Sequence, residues 1–301
     1  MQNTSYQNLI IGFGKAGKTL AGFLAKKGET VALVERSKER YGGTCINVAC
    51  IPSKSLEYSA RLSAAAGGDF AAKAARYRAA IAEKRRLTAM LREKNYAKVT
   101  GTGAVVIDGE ASFVDAHTVR IVGADGEQTV TADRIFINTG ALPFVPPIEG
   151  AAESTHVYTS ETMMELDELP EKLVIIGGGY IGLEFASYYA NFGSSVAVVQ
   201  DGDAFIPRED AEIAARVLQH TNDRGIHILM GAKVQRIEDG AAGANVVVQT
   251  ADGEKRLAAN AILIATGRRP NIKGLNLAAA GVAVTERGAV AVDEHLRTNV
   301  P

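Results

Sequence analysis

The chain has 301 residues, room for about two domains of ordinary size, and its 47% apolar content is enough for packed cores. No apolar run approaches the roughly 20 residues that a membrane-spanning helix needs. With 33 basic and 34 acidic residues the net charge is −1, which gives no electrostatic ground for a nucleic acid or an acidic membrane as partner.

Residues 1–8 are polar, so no secretory signal is expected and a reducing, cytoplasmic setting is. Leu9-Ile10-Ile11 then reads as a strand running into Gly12-Phe13-Gly14-Lys15-Ala16-Gly17, a GxGxxG turn, followed by a helical run to Gly28 and a strand Val31–Val34 closed by Glu35. The glycines permit a tight turn and close backbone approach, while the helix start offers N–H groups to a pyrophosphate. Residues Gly12–Thr19 also satisfy GxxxxGK[ST], the phosphate loop of NTPases. Glu35 favours the dinucleotide reading, because an acid about 20 residues past the turn suits a ribose hydroxyl.

The only two cysteines follow in Gly42-Gly43-Thr44-Cys45-Ile46-Asn47-Val48-Ala49-Cys50-Ile51-Pro52-Ser53-Lys54. Beside a redox cofactor, such a pair reads as a disulfide that is made and broken. Residues five apart on a regular helix are separated by roughly 7.5 Å along the axis, beyond ordinary disulfide reach. A Cys45–Cys50 bridge therefore demands a distorted helix start, which Gly42-Gly43 and Pro52 permit. A helix beginning near Pro52 would favour thiolate at its positive end. The competing readings are a structural bridge, a zinc half-site and two unrelated buried thiols. The five histidines, 117, 156, 220, 227 and 295, show no metal-ligand spacing, and no metal site is expected.

Residues 55–98 have a helical pattern. Within 61–98, ten basic residues stand against three acids, which reads as the solvated face of one or two long helices. Residues 101–138 then alternate in short β-like runs, at 104–107, 118–122 and 134–137, ending at Thr139-Gly140, and 142–148 looks like a linker. At an offset of 165 residues the opening pattern returns: Val174-Ile175-Ile176, then Gly177-Gly178-Gly179-Tyr180-Ile181-Gly182, a helix to Gly193 and a strand 196–199 closed by Gln200. Ala261–Gly267 ends this second half as 134–140 ends the first.

These motifs together resemble the pyridine nucleotide-disulfide oxidoreductases, flavoenzymes that include glutathione reductase, lipoamide dehydrogenase and mercuric reductase. GGTCINVACIPSK at 42–54 is similar to the family's redox-active segment, GGGYIGLE at 177–184 to its nicotinamide-nucleotide segment, and ATGRRPN at 265–271 to its domain-return segment. GFGKAGKTLA with YGGTCIN looks most like the bacterial reactive chlorine resistance flavoproteins, which include hypothiocyanous acid reductases. The resemblance implies an α/β fold with two Rossmann-like nucleotide-binding domains, the first carrying an inserted helical pair and a β-meander. The expected domains are 1–149 for FAD, with 272–301 returning to it, and 150–271 for NAD(P).

The resemblance also implies roles. Cys45 would be the interchange thiol that meets substrate and Cys50 the thiol nearest the flavin. Lys54 and Glu184 would form a buried pair beside the isoalloxazine, each tolerable there only with the other. Cofactor binding falls to Gly12, Gly14, Gly17, Glu35, Gly43, Thr44, Ala111, Thr139, Gly140, Gly177, Gly179, Tyr180, Ile181, Gly182, Gln200, Gly267 and Arg268, with Tyr180 covering the nicotinamide pocket. NADH and NADPH both stay open: Gln200 stands where NADH users carry an acid, and Arg208 is the nearest cation. The implied activity is an FAD-dependent NAD(P)H oxidoreductase acting on a disulfide or a small thiol-reactive oxidant such as hypothiocyanous acid. The alternatives are a nucleotide-binding remnant without turnover and an NTPase. The family's C-terminal dimerisation domain, with its His-Glu pair, is expected to be absent from these 301 residues.

Overall fold

The computed structural model describes residues 3–301. It divides into two compact units: the chain up to Ile51 with Leu87–Leu142 and Arg269 onward, and Pro52–Arg86 with Pro143–Arg268. In chain order the first stretch contains β1 (Asn3–Ile11), α1 (Lys15–Lys26), β2 (Val31–Glu35), the one-turn α2 (Thr44–Asn47), α3 (Cys50–Ala66) and α4 (Phe70–Thr100). There follow β3 (Val105–Asp108), β4 (Glu110–Phe113), β5 (Thr118–Gly123) and β6 (Gly126–Ile137).

The first unit is a six-stranded sheet in the order β3-β2-β1-β6-β5-β4. The four strands from β3 to β6 are parallel, and β5 and β4 extend the sheet antiparallel. Successive side chains of a strand point to opposite faces. Accordingly Ile10 and Leu33 pack with Ala21 and Leu24 of α1 and with Val99. Leu9, Ile11, Ala32 and Val34 pack on the other side with Phe113, Leu275 and Leu277. A parallel strand covered on both faces has to be apolar throughout, which is why the runs at 9–11 and 31–34 stand out in the sequence. β1 and β6 are longer than those runs. Polar residues such as Thr4 and Ser5 are carried into β1 by pairing with Val130 and Thr131 of β6.

The chain leaves this stretch through β7 (Ala141–Pro143) and continues with β8 (Val157–Thr159), α5 (Ser160–Met163), β9 (Lys172–Ile176), α6 (Tyr180–Phe192), β10 (Ser195–Val199), α7 (Ala211–Asp223) and β11 (His227–Leu229). Next come β12 (Lys233–Gly240), β13 (Gly243–Thr250), β14 (Gly253–Ala259) and β15 (Ala261–Ile264), and the chain returns through β16 (Arg268–Pro270). The second unit's main sheet is parallel, in the order β11-β10-β9-β15-β8. An antiparallel meander, β12-β13-β14, packs Val246 and Val248 against Val174, Ile176, Ile262 and Ile264.

Residues 52–86, from α3 and α4, belong to this second unit. Tyr77 explains the attachment: its ring meets Phe192 edge-on at 5.2 Å, and its hydroxyl lies 2.9 Å from that of Tyr189. Both helices of the insertion are present, but the basic stretch is not wholly solvated. Lys84 has a side chain only 1% exposed and ion-pairs with Glu165. Burial pulls the Lys84 ammonium down, and the Glu165 carboxylate acts against that. No helix of the described residues is long and apolar enough to cross a membrane.

Candidate functional site

The two glycine turns are the same joint built twice. Gly12 donates its N–H to Val34 O and Gly177 to Val199 O, both at 2.8 Å. Glu35 Oε2 accepts from Phe13 N at 3.0 Å, and Gln200 Oε1 accepts from Gly178 N at 2.9 Å. A Cβ on Gly17 would strike Gly12 O, and one on Gly182 would strike Gly177 O, so helix and turn touch only through glycine. Gly12 and Gly177, with φ of 108° and 110°, sit where side-chain-bearing residues rarely go. Gly179 differs: nothing lies within 4 Å of its Cβ position, so packing does not demand glycine there. Space left open at an uncapped helix start fits a pyrophosphate.

In the first unit, Gly43 is pressed against Gly14, where a Cβ would meet Gly14 Cα, and Gly140 brings its Cβ position to 4.0 Å from Thr44 Oγ1. Thr139 and Gly140 are held through their carbonyls by Asn271, at 3.1 and 2.9 Å. Gly12, Gly14, Gly17, Glu35, Gly43, Thr44 and Gly140 thus converge around one helix start. Ala111 lies on β4 opposite Ile121 and packs on the sheet's core. Asn138, which the sequence reading missed, ties the joint together by donating to Gly12 O at 3.0 Å.

α2 stops at Asn47 and α3 starts at Cys50, so the helix is broken between the two cysteines. Asn47 fastens the break: its side-chain amide donates to Tyr41 O and Gly43 O at 3.0 and 2.9 Å. Both cysteines are thiols in this structure, and their side chains are hydrogen-bonded to each other. Burial pushes the Cys45 thiol up, the hydrogen bond and charge of Cys50 add to this, and the Lys18 and Lys15 ammoniums pull it back. Burial therefore disfavours thiolate at Cys45. The start of α3 lies at Cys50, and Cys45 sits before the break.

In the second unit Lys54 and Glu184 are ion-paired, as the resemblance implies, but not buried: their side chains are 69% and 29% exposed. At that exposure the pair contributes on the order of 0–1 kcal/mol to stability. A cavity of about 620 Å³ opens over the second glycine turn, lined among others by Gly179, Tyr180, Gln200, Arg208 and Gly267. Tyr180 is 59% exposed, and its hydroxyl donates to Glu209, a clasp with no signal in the sequence. Ile181 and Gly182 open α6 behind it, and Arg268 is held by Glu161 at 3.5 Å.

Two glycine-turn nucleotide folds and a cysteine pair at a broken helix define a class. Residues 6–301 match the pyridine nucleotide-disulphide oxidoreductase family, and the chain belongs to it. It is 44% identical over 294 residues to the probable pyridine nucleotide-disulfide oxidoreductase RclA of Escherichia coli, covering 97% of this chain and 63% of that protein. Dihydrolipoyl dehydrogenase of Geobacillus stearothermophilus is 33% identical over 98% of this chain and 63% of its own length. Mercuric reductase of Staphylococcus aureus is 32% identical over 98% of this chain and 54% of its own length. The solved structure of the HOCl-induced flavoprotein disulfide reductase RclA superimposes with a TM-score of 0.89 at 43% identity, covering 98% of this chain and 64% of that one. The chain thus spans 54–64% of the length of these relatives. The NTPase reading of Gly12–Thr19 falls with the family match, and Lys18, its phosphate lysine, is tied to Asn95 at 2.5 Å.

Proposed function

We propose that this chain carries the two nucleotide-binding units of an FAD-dependent NAD(P)H oxidoreductase. Its Cys45–Cys50 pair, closed as a disulfide in the oxidised state, would pass electrons to a disulfide or small thiol-reactive oxidant. The observation that carries this reading is the hydrogen-bonded thiol pair at the α2–α3 break, next to the glycines converging on α1. The first unit fits the FAD pyrophosphate and ribose through the α1 start and Glu35, and the second fits NAD(P)H through the cavity over Gly179.

FAD, when bound, supplies the two-electron acceptor for hydride. The chain's residues do the rest. Two electrons and two protons convert the Cys45–Cys50 disulfide to two thiols, and the break between the helices lets the sulfurs meet without unwinding α3. Cys45, as thiolate, then attacks the oxidant; Cys50 closes on Cys45, expels the reduced product and restores the disulfide. The resemblance of GFGKAGKTLA and YGGTCIN to the chlorine-resistance flavoproteins supports hypothiocyanous acid as one acceptor.

The test is the visible spectrum of the FAD-loaded chain under anaerobic NADH or NADPH. Bleaching of the flavin is expected. A chain that cannot be loaded with FAD, or a bound flavin that neither nucleotide bleaches, contradicts the reading; the latter is the outcome a binding-only protein gives.

A further inference from the structure

One turn beyond the pair of Lys54 and Glu184, the same two helices are joined a second time. Ser187 of α6 donates its hydroxyl to Glu57 Oε2 of α3 at 3.4 Å, and it accepts from Arg224 Nη1 at 3.1 Å. Arg224, the residue that closes α7, also donates to Asn191 Oδ1 of α6 at 2.6 Å. Lys54 and Glu57 stand three apart on α3, as Glu184 and Ser187 do on α6, and both rungs join residues 130 apart in the chain. Residues three apart share a helix face, so one face of α3 meets one face of α6 in a fixed register, with both helices running the same way. All of these residues belong to the second unit.

Alone, the first rung would hold poorly. Lys54 is 69% exposed, and an exposed ammonium on a flexible stem gives up rotamer freedom to keep one geometry for little return. The second rung is half-buried at Glu57 and at Ser187, and it is charge-assisted at both ends, because the Ser187 hydroxyl lies between a guanidinium and a carboxylate. A helical serine can return its hydroxyl to the carbonyl one turn back; Ser187 directs its own across to α3. We infer that Glu57, acting through Ser187 and Arg224, is a positioning residue for the Lys54–Glu184 pair: it fixes the height along α6 at which the turn carrying Lys54 sits, and so holds the ammonium at Glu184. The inference rests on the reading of the chain as a flavin-dependent oxidoreductase, in which that pair would stand beside the isoalloxazine, and it names the residues that set the pair's geometry.

The test has one readout without flavin and one with it. A carbodiimide joins a carboxylate and an amine in contact as an amide, so the yield of the Lys54–Glu184 cross-link, read by peptide mass on the full chain without FAD, reports how often the two meet. It is divided by the yield for Lys255 and Asp252, an exposed pair at 3.3 Å in the β12–β14 meander. Ser187→Ala alters no charge and neither member of the pair, and it should lower this ratio by about twofold or more. Glu57→Ala should do the same, whereas Glu57→Gln, whose amide oxygen still accepts from Ser187, should keep most of the yield. In the FAD-loaded chain, Ser187→Ala and Glu57→Ala should slow anaerobic bleaching by NADH or NADPH several-fold at an unchanged half-saturating nucleotide concentration, and neither should slow it further in a Lys54→Met chain. An unchanged or raised cross-link ratio in Ser187→Ala, equal losses in Glu57→Ala and Glu57→Gln, or full additional slowing in Lys54→Met would overturn the inference. An unsubstituted chain whose flavin neither nucleotide bleaches would defeat the oxidoreductase reading, and the cross-link ratios, taken without FAD, would still decide whether the second rung holds the first.

Discussion

At the scale of single residues, the chemistry turns on what surrounds the Cys45 sulfur. Its thiol is held up chiefly by burial and then by Cys50, with Lys18 and Lys15 opposing. Removing a raising cause lowers the pH at which thiolate appears, and removing a lowering cause raises it. Cys50→Ala should therefore move the pH profile of Cys45 alkylation to lower pH, and Lys18→Gln should move it to higher pH, both read from iodoacetamide rates. Shifts of the same sign would contradict this assignment of causes. Gln200 invites a second exchange. Its amide holds the Gly178 N–H as Glu35 holds that of Phe13, but without a charge to repel a 2′-phosphate. Gln200→Glu should shift the KM ratio toward NADH and against NADPH. An unchanged ratio would remove Gln200 from cofactor choice.

At the scale of elements, the two turn-helix joints separate glycines needed for folding from one that leaves room for a ligand. Gly182→Ala drives a methyl into Gly177 O and should lower stability by about 1–3 kcal/mol in urea unfolding. Gly179→Ala, whose methyl meets nothing, should leave stability unchanged and weaken NAD(P)H binding, measured by nucleotide fluorescence. In α4 the buried Lys84 depends on Glu165. Glu165→Ala should cost about 2 kcal/mol, because a largely buried ammonium loses its hydrogen-bonded acceptor, whereas Lys84→Met should cost less; the same urea experiment ranks them. These elements also show what the sequence could reveal. The glycine joints were legible because backbone contact leaves no substitute at Gly17 or Gly182, and the repeat at 165 residues copies the hydrogen bonds as well as the letters. The polar length of β1 was hidden because pairing with β6, more than a hundred residues on, makes Thr4 and Ser5 a strand. The β12–β14 meander escaped notice because its alternation is interrupted by Ala, Gly and charged residues.

Across the whole molecule, family and the two-nucleotide architecture were legible, since the three motifs at 42–54, 177–184 and 265–271 are local in sequence. The interactions that tune the site were not: Asn138 with Gly12, Lys18 with Asn95 and Tyr180 with Glu209 join residues 126, 77 and 29 positions apart, with no periodicity to announce them. For Lys54 and Glu184 the pairing could be inferred from a motif and is present, whereas solvent exposure cannot be read from a motif. What unites the two units is the proposed delivery of electrons from a nicotinamide nucleotide to one pair of sulfurs. The most direct measurement is maleimide labelling read by intact mass. The oxidised, FAD-loaded chain is given one equivalent of NADH or NADPH without oxygen, quenched, and labelled. Two labels, on Cys45 and Cys50, are predicted where the untreated chain takes none; the same label count before and after nucleotide would contradict the account.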